Sequence, residues 1–161
     1  IGYVDIKYKQ FCTGQPTSTT VPGSAGCPAN VINVASIVTP GYTSPWTGNI
    51  AANAKFPIGA GDTRLTARVA FTYEDGKYSF SNVIGSPFNN AVKGDNRKLV
   101  DAQIGVENLA LGGAKADVRI WGKNITNHHD LVRAVDFGQL GYAGGYFADP
   151  ATYGVTIGFK Y

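Results

Sequence analysis

Every second residue from Tyr153 to Tyr161 is β-branched or aromatic: Tyr153, Val155, Ile157, Phe159 and Tyr161. Thr152, Gly154, Thr156, Gly158 and Lys160 alternate with them. Unbroken period-two alternation marks a strand with one apolar and one polar face. A soluble strand at a terminus rarely needs so wide an apolar face. A strand facing lipid does.

Five further segments follow the same rule. In Gly2 to Lys9, Val4, Ile6 and Tyr8 oppose Asp5, Lys7 and Lys9. In Asn49 to Phe56, Ile50, Ala52, Ala54 and Phe56 oppose Asn49, Asn53 and Lys55. In Arg64 to Tyr73, Leu65, Ala67, Val69, Phe71 and Tyr73 oppose Arg64, Thr66, Arg68 and Thr72. In Leu99 to Glu107, Val100, Ala102, Ile104 and Val106 oppose Asp101, Gln103 and Glu107. In Ala116 to Lys123, Val118 and Ile120 oppose Asp117, Arg119 and Lys123. Each segment approaches the roughly 9–11 residues that a tilted strand needs to cross a bilayer. None of the six apolar faces carries a charge, which a lipid-facing surface requires.

The connections alternate in length. Gln10 to Gly48, Glu74 to Lys98 and Asn124 to Pro150 are long and rich in small polar residues, whereas Pro57 to Thr63 and Asn108 to Lys115 are short. Long structureless connections are unusual in a compact soluble domain. Long loops outside and short turns in the periplasm are the pattern of an outer-membrane barrel. The last strand then descends, and Tyr161 ends on the periplasmic side.

The terminal run Asp149-Pro-Ala-Thr-Tyr-Gly-Val-Thr-Ile-Gly-Phe-Lys-Tyr161 resembles the closing strand of TonB-dependent outer-membrane receptors. Pro150, Thr152, Tyr153, Gly154, Val155 and Tyr161 match that pattern. Upstream, Trp121-Gly-Lys-Asn124-Ile-Thr-Asn127 is similar to the same family's penultimate strand, in the right order and spacing. The sequence departs from the family at Tyr161, where Phe is more usual, and at Ala151, where a basic residue is common. The resemblance covers Leu99 to Tyr161; before that it is architectural.

The resemblance implies an all-β fold: an antiparallel up-and-down transmembrane barrel wall of about six strands. Residues 1–161 would be the C-terminal part of a barrel of roughly 22 strands, with the plug domain absent. About six strands cannot close a barrel, for which about eight is the floor. The implied role is TonB-energised uptake of a scarce ligand across the outer membrane of a Gram-negative bacterium. The ligand class stays open among siderophore, cobalamin, carbohydrate and aromatic compound, with no ligand-binding residue assigned. The chain alone would not transport. Its implied partners are outer-membrane lipid, the rest of its own barrel and plug, and TonB through the missing N-terminal part. The barrel-assembly machinery would read Tyr153, Val155, Ile157, Phe159 and Tyr161. Two alternatives stay open. One is a small complete outer-membrane barrel or adhesin, with extra strands in Val31 to Val38 and Tyr78 to Ile84. The other is a soluble lipocalin-like barrel, which lacks its Gly-x-Trp near the first strand and its following helix.

The remaining signals bound the chemistry. The chain has 161 residues, one domain's worth, with 43% hydrophobic and 16% charged residues and 21 Gly, a composition that leans towards strands and turns. No apolar run is long enough for a transmembrane helix, and Ile1 to Gln10 does not read as a signal peptide. Met is absent, so a mature product or a piece of a longer chain is expected. A net charge of +3 is too small and scattered for nucleic acid. Cys12 and Cys27 lie in one Gly/Pro/Ser/Thr-rich segment. Paired, they close a short loop, which fits an oxidising compartment. Free thiols or half of a metal site are the alternatives, and no Cys-x-x-Cys or neighbouring His cluster supports metal. A loop disulfide is expected. His128-His129-Asp130 reads as a solvated loop rather than a metal cluster, because adjacent residues on an extended chain point apart. Gly138 to Gly145 fails the context test for a phosphate loop. No catalytic constellation stands out; Asp101, Glu107 and Asp117 read as wall polar residues. No enzyme, metal or cofactor is expected. Trp46, Tyr73, Trp121, Tyr153 and Tyr161 fall near strand ends, either as an aromatic belt or through ordinary strand propensity.

Overall fold

The computed structural model describes residues 1–14, 26–28, 31–59, 61–80, 88 and 90–161. Ten strands occur in it: β1 (Gly2–Tyr3), β2 (Cys12–Gly14), β3 (Val31–Asn33), β4 (Trp46–Pro57), β5 (Arg64–Glu74), β6 (Arg97–Leu111), β7 (Ala114–Lys123), β8 (Leu131–Phe137), β9 (Tyr142–Phe147) and β10 (Thr152–Lys160). One sheet holds six of them in the order β1-β4-β5-β6-β7-β10, with every pairing antiparallel. β2–β3 and β8–β9 form two separate ribbons. The protein is therefore all-β.

Residues directly opposite in an antiparallel ladder share a face. Ala54, Ala67, Ile104, Ile120 and Val155 form one such row across five strands. Phe56, Leu65, Val106, Val118 and Ile157 form the next. The apolar sets read from sequence in β4, β5, β6, β7 and β10 thus fall on one side of one sheet. Nothing among the described residues covers that side. Ile50, Val69, Ile104, Ile120 and Val155 are 71%, 51%, 50%, 56% and 62% exposed. Most buried hydrophobic residues among those described lie elsewhere: Val34, Val38, Val92 and Ala134 sit in the long connections, whereas Ala116 lies on the apolar side, between Leu109 and Phe159.

Those connections are knitted to one another. Asp95 and Leu131 exchange hydrogen bonds, through Asp95 N to Leu131 O at 3.2 Å and Leu131 N to Asp95 Oδ2 at 2.9 Å. Ala134 N donates to Ser79 Oγ, and Tyr42 N to Tyr78 O. Three connections that read as loops therefore build a small cap with its own core at one end of the sheet. The two short turns lie at the other end.

Four expectations need correction. The first alternating segment, Gly2 to Lys9, is a strand only over Gly2–Tyr3. Its pairing with β4 runs towards the start of that strand, and past Tyr3 there is no ladder left to join. The connection expected at Asn108 to Lys115 is two residues, Gly112-Gly113, both at positive φ. That is the backbone a tight hairpin turn demands and glycine supplies. β6 reaches Leu111 because a bulge between Val106 and Leu109 absorbs Asn108 at φ 55° and returns Leu109 to the apolar side. β6 also starts earlier, at Arg97, so Lys98 falls on the apolar side opposite Tyr73. It is exposed and at the strand's extreme end, where a lysine stem reaches polar surroundings. The connection expected at Asn124 to Pro150 contains the β8–β9 hairpin. Of the extra strands considered, only Val31–Asn33 forms, in the small ribbon with β2, and Tyr78 makes a single bridge to Lys93. Residues 81–84 lie outside the described residues.

Candidate functional site: the polar face and the loop end

The two sequence motifs Trp121-Gly122 and Tyr153-Gly154 are cross-strand partners, Trp121 facing Gly154 and Gly122 facing Tyr153. Each aromatic ring covers the other motif's glycine, one on each side of the sheet. A Cβ at Gly122 would stand 2.8 Å from Tyr153 Cδ1, and one at Gly154 2.7 Å from Trp121 Cε2. Aromatic cover of a strand glycine pins register. Trp121 also donates from Nε1 to Thr156 Oγ1 at 3.2 Å, which fixes the indole on the polar side. Trp46, Tyr73 and Tyr153 share the apolar side near the cap, so Trp121 stands apart from them, as its parity predicts.

Beside the indole the polar face is concave. A groove of about 300 Å³ lies over β4 to β7, with Arg68, Gln103, Trp121 and Lys123 along it and Asn49 and Thr72 at its flank. Arg68 Nη1 donates to Asn53 Oδ1 at 2.9 Å, which holds the guanidinium over the sheet. Asp101 contributes the carboxylate of this wall, and its Oδ1 accepts the Asn124 N–H at 2.9 Å. Nearer the short turns the face is cross-braced by Lys55–Glu107 at 2.6 Å, Lys115–Asp62 at 2.9 Å and Lys160–Asp117 at 2.7 Å. Lys115 holds the Asp62 carboxyl below the usual range.

The loop end is organised by Asn124. It is 5% exposed and sits at φ 48°, a conformation asparagine tolerates. Its Nδ2 donates to His128 O and Asp149 O, and its Oδ1 accepts from His128 N. Asn127 Oδ1 accepts from Ala151 N. The motif therefore ties the start of the β7–β8 connection to the entry of β10.

His128 and His129 do diverge. His128 Nε2 lies 2.9 Å from Asp130 Oδ1, while His129 Nε2 faces Asn127 Nδ2 at 3.2 Å. Among the described residues no group of three or more His, Cys, Asp or Glu side chains is placed to hold a metal. Asp130 is 1% exposed, and Arg97 Nε stands 3.7 Å from its Oδ2. Burial pushes the Asp130 carboxyl above its ordinary value, against the opposing pull of His128 and Arg97. A carboxyl raised on folding binds its proton more tightly in the folded state. Its charge is thus a cost present above the folded value and relieved as pH falls towards the unfolded one. Asp130→Asn is expected to leave the cap at least as stable at pH 7 and to flatten its stability between those two values. Arg97→Gln leaves the carboxylate with His128 as its remaining cationic partner among the described residues and is expected to cost about 1–3 kcal/mol. Pulse proteolysis of the purified protein across pH measures both; a destabilised Asp130→Asn variant contradicts the assignment.

Comparison with protein families, curated proteins and solved structures finds no match. The site therefore rests on its own geometry.

The predicted residues divide between two places. Cys12 and Cys27 are bonded, with Cα atoms 5.8 Å apart, within the range a disulfide accepts. Tyr153, Val155, Ile157 and Phe159 lie on the apolar side of β10, are 67%, 62%, 58% and 59% exposed, and precede Tyr161 just beyond the strand. β10 pairs with β7 alone, so its other edge has no strand partner among the described residues. The polar groove was not expected from sequence. Its side chains come from four strands, and only the register brings Arg68, Gln103 and Trp121 into one row.

Proposed function

We propose that this chain is part of the wall of a larger outer-membrane β-barrel, of the kind built by TonB-dependent receptors, and serves energised uptake of a scarce ligand. One observation carries the reading: an uncovered apolar face continuous over five antiparallel strands, backed by a charged polar face. In water so large an exposed patch is an aggregation hazard; in a bilayer it is the outer surface. β4, β5, β6, β7 and β10 contain 12, 11, 15, 10 and 9 residues, enough to cross. Among the described residues the sheet is open at β10 and along β4 beyond Thr47, where further wall strands would pair. The polar face becomes the lumen wall and the knitted cap the outer surface. Tyr153 to Tyr161 offers the assembly machinery a free edge, and TonB acts through parts of the receptor beyond this chain.

The test uses the full-length protein in its native membrane. Single cysteines at Val69 and Ile104 should be shielded from a charged maleimide, and one at Thr66 should react. Growth on a panel of iron chelates, cobalamin and oligosaccharides should reveal one nutrient that requires both this protein and TonB. Equal labelling of both faces overturns the barrel; growth that needs the protein but not TonB overturns the energised-uptake part.

A further inference from the structure

We propose that the polar-face groove between Arg68 and Lys123 binds a small polyanion rich in carboxylate or phosphate oxygens. The inference rests on the barrel reading, since it takes this face as a lumen wall, and it adds the ligand's chemical class.

The charge pattern points there. The polar face is rich in cations, and most of them fall into two groups; Arg64, at the short-turn end, belongs to neither and donates to the Gly61 and Thr63 carbonyls at 3.4 and 3.5 Å. Lys55, Lys115 and Lys160, near the short turns, are each neutralised by a carboxylate within 3 Å. Arg68 and Lys123, in the groove, have no carboxylate within ion-pairing distance among the described residues, and neither does Arg119 one row away. Asp101 is the one acid lining the groove, and its Oδ1 is already engaged by the backbone of Asn124. The lining thus carries two cations against one partly engaged carboxylate. Among the described residues, the groove gathers two cations without an ion-paired carboxylate into one concavity.

The shape and the donors agree. About 300 Å³ suits a compact ligand of tricarboxylate size. Arg68 is held by Asn53 through one nitrogen, which leaves the rest of its planar fork for two oxygens of one carboxylate or phosphate group. Gln103 stands opposite both Arg68 and Trp121 and supplies an amide donor between the two charges. Lys123 Nζ lies 6.0 Å from the Trp121 ring centroid, so indole and ammonium border the same end. Cations without a carboxylate partner, gathered in one concavity, raise the local concentration of an entering anion.

Calorimetric titration of the full-length protein in detergent decides it, with citrate and inorganic pyrophosphate as anionic probes and maltotriose as a neutral one. At low ionic strength an anionic probe should bind, more weakly as salt rises, and maltotriose should not. Arg68→Gln with Lys123→Gln should weaken binding about tenfold or more, and Lys123→Gln alone by a smaller factor. Lys55→Gln, whose charge is already paired, should change it less than twofold. No anion binding by the wild type, equal binding of maltotriose, or unchanged affinity in the double variant each overturns the proposal. Unchanged affinity with lower folded stability assigns these cations to a protein segment instead. Should the double variant fail to assemble, the titration of Lys123→Gln alone decides, and wild-type affinity there overturns the proposal. Failure of the barrel reading is seen separately, in the labelling of Val69 and Ile104.

Discussion

Val69→Arg and Ile104→Arg should each destabilise the assembled protein in lipid by about 2–4 kcal/mol, the cost of a cation on a barrel's outer face near the midplane. Val69 is the middle of β5 and Ile104 the middle of β6, and both point from the uncovered apolar side. The sign of the effect depends on the solvent. In water, an arginine at a half-exposed aliphatic position on an uncovered face would improve solubility and cost little. In hydrocarbon it must drag water or a headgroup inward. Lys55→Gln, on the opposite face, removes an exposed ion pair with Glu107 and should cost less than about 1 kcal/mol. Unfolding in liposomes, followed by urea titration of the protected form, separates the two classes. Equal costs on both faces would mean that neither face meets lipid.

The same alternation explains what sequence made legible. Where a strand has two different surroundings, side-chain parity records them, and Leu65 to Tyr73 or Val100 to Val106 can be read without knowing the partners. Register then follows, because slipping a strand by one residue would turn every apolar side chain to the wrong side. Parity fails where the surroundings are alike on both sides. Tyr142-Ala-Gly-Gly-Tyr-Phe147 is exposed throughout and shows no alternation, so β9 passes for a loop. Cys12–Gly14 and Val31–Asn33 are too short for any period to register. β1 fails in the opposite way, because Val4 to Lys9 alternates but has no strand to pair with among the described residues. The Asn108 bulge breaks the period inside a continuous strand, and the break imitates a turn. The groove is hidden for a further reason. Arg68, Gln103 and Trp121 belong to different strands, and only the register across one long connection and one tight turn makes them neighbours.

Removing Phe159, Lys160 and Tyr161 should lower the amount of assembled protein far more than it lowers the stability of whatever assembles. The packing they supply is small. Phe159 is 59% exposed and Tyr161 lies beyond the strand, while Lys160 contributes one exposed ion pair with Asp117. On contacts alone, about 1–2 kcal/mol would be lost, mostly from the end of the β7–β10 ladder. The proposed barrel reading gives β10 a second role, because one of its edges has no strand partner among the described residues. An unpaired edge presents a row of N–H and C=O groups that another strand can join, and alternate side chains then supply the specificity. Tyr153, Val155, Ile157, Phe159 and Tyr161 form that alternate set, and the deletion removes two of its five members together with their backbone pairing groups. Each lost backbone bond or filled pocket is worth about 1 kcal/mol, so recognition of the unfolded chain should fall tenfold or more. Lys160→Gln keeps the edge and the apolar set and should assemble normally. The readout is the quantity of heat-modifiable, protease-resistant full-length protein in outer membranes, set beside the unfolding free energy of the same material. A truncated chain that assembles at the wild-type level removes the recognition role, and β10 then remains only as a wall strand on β7.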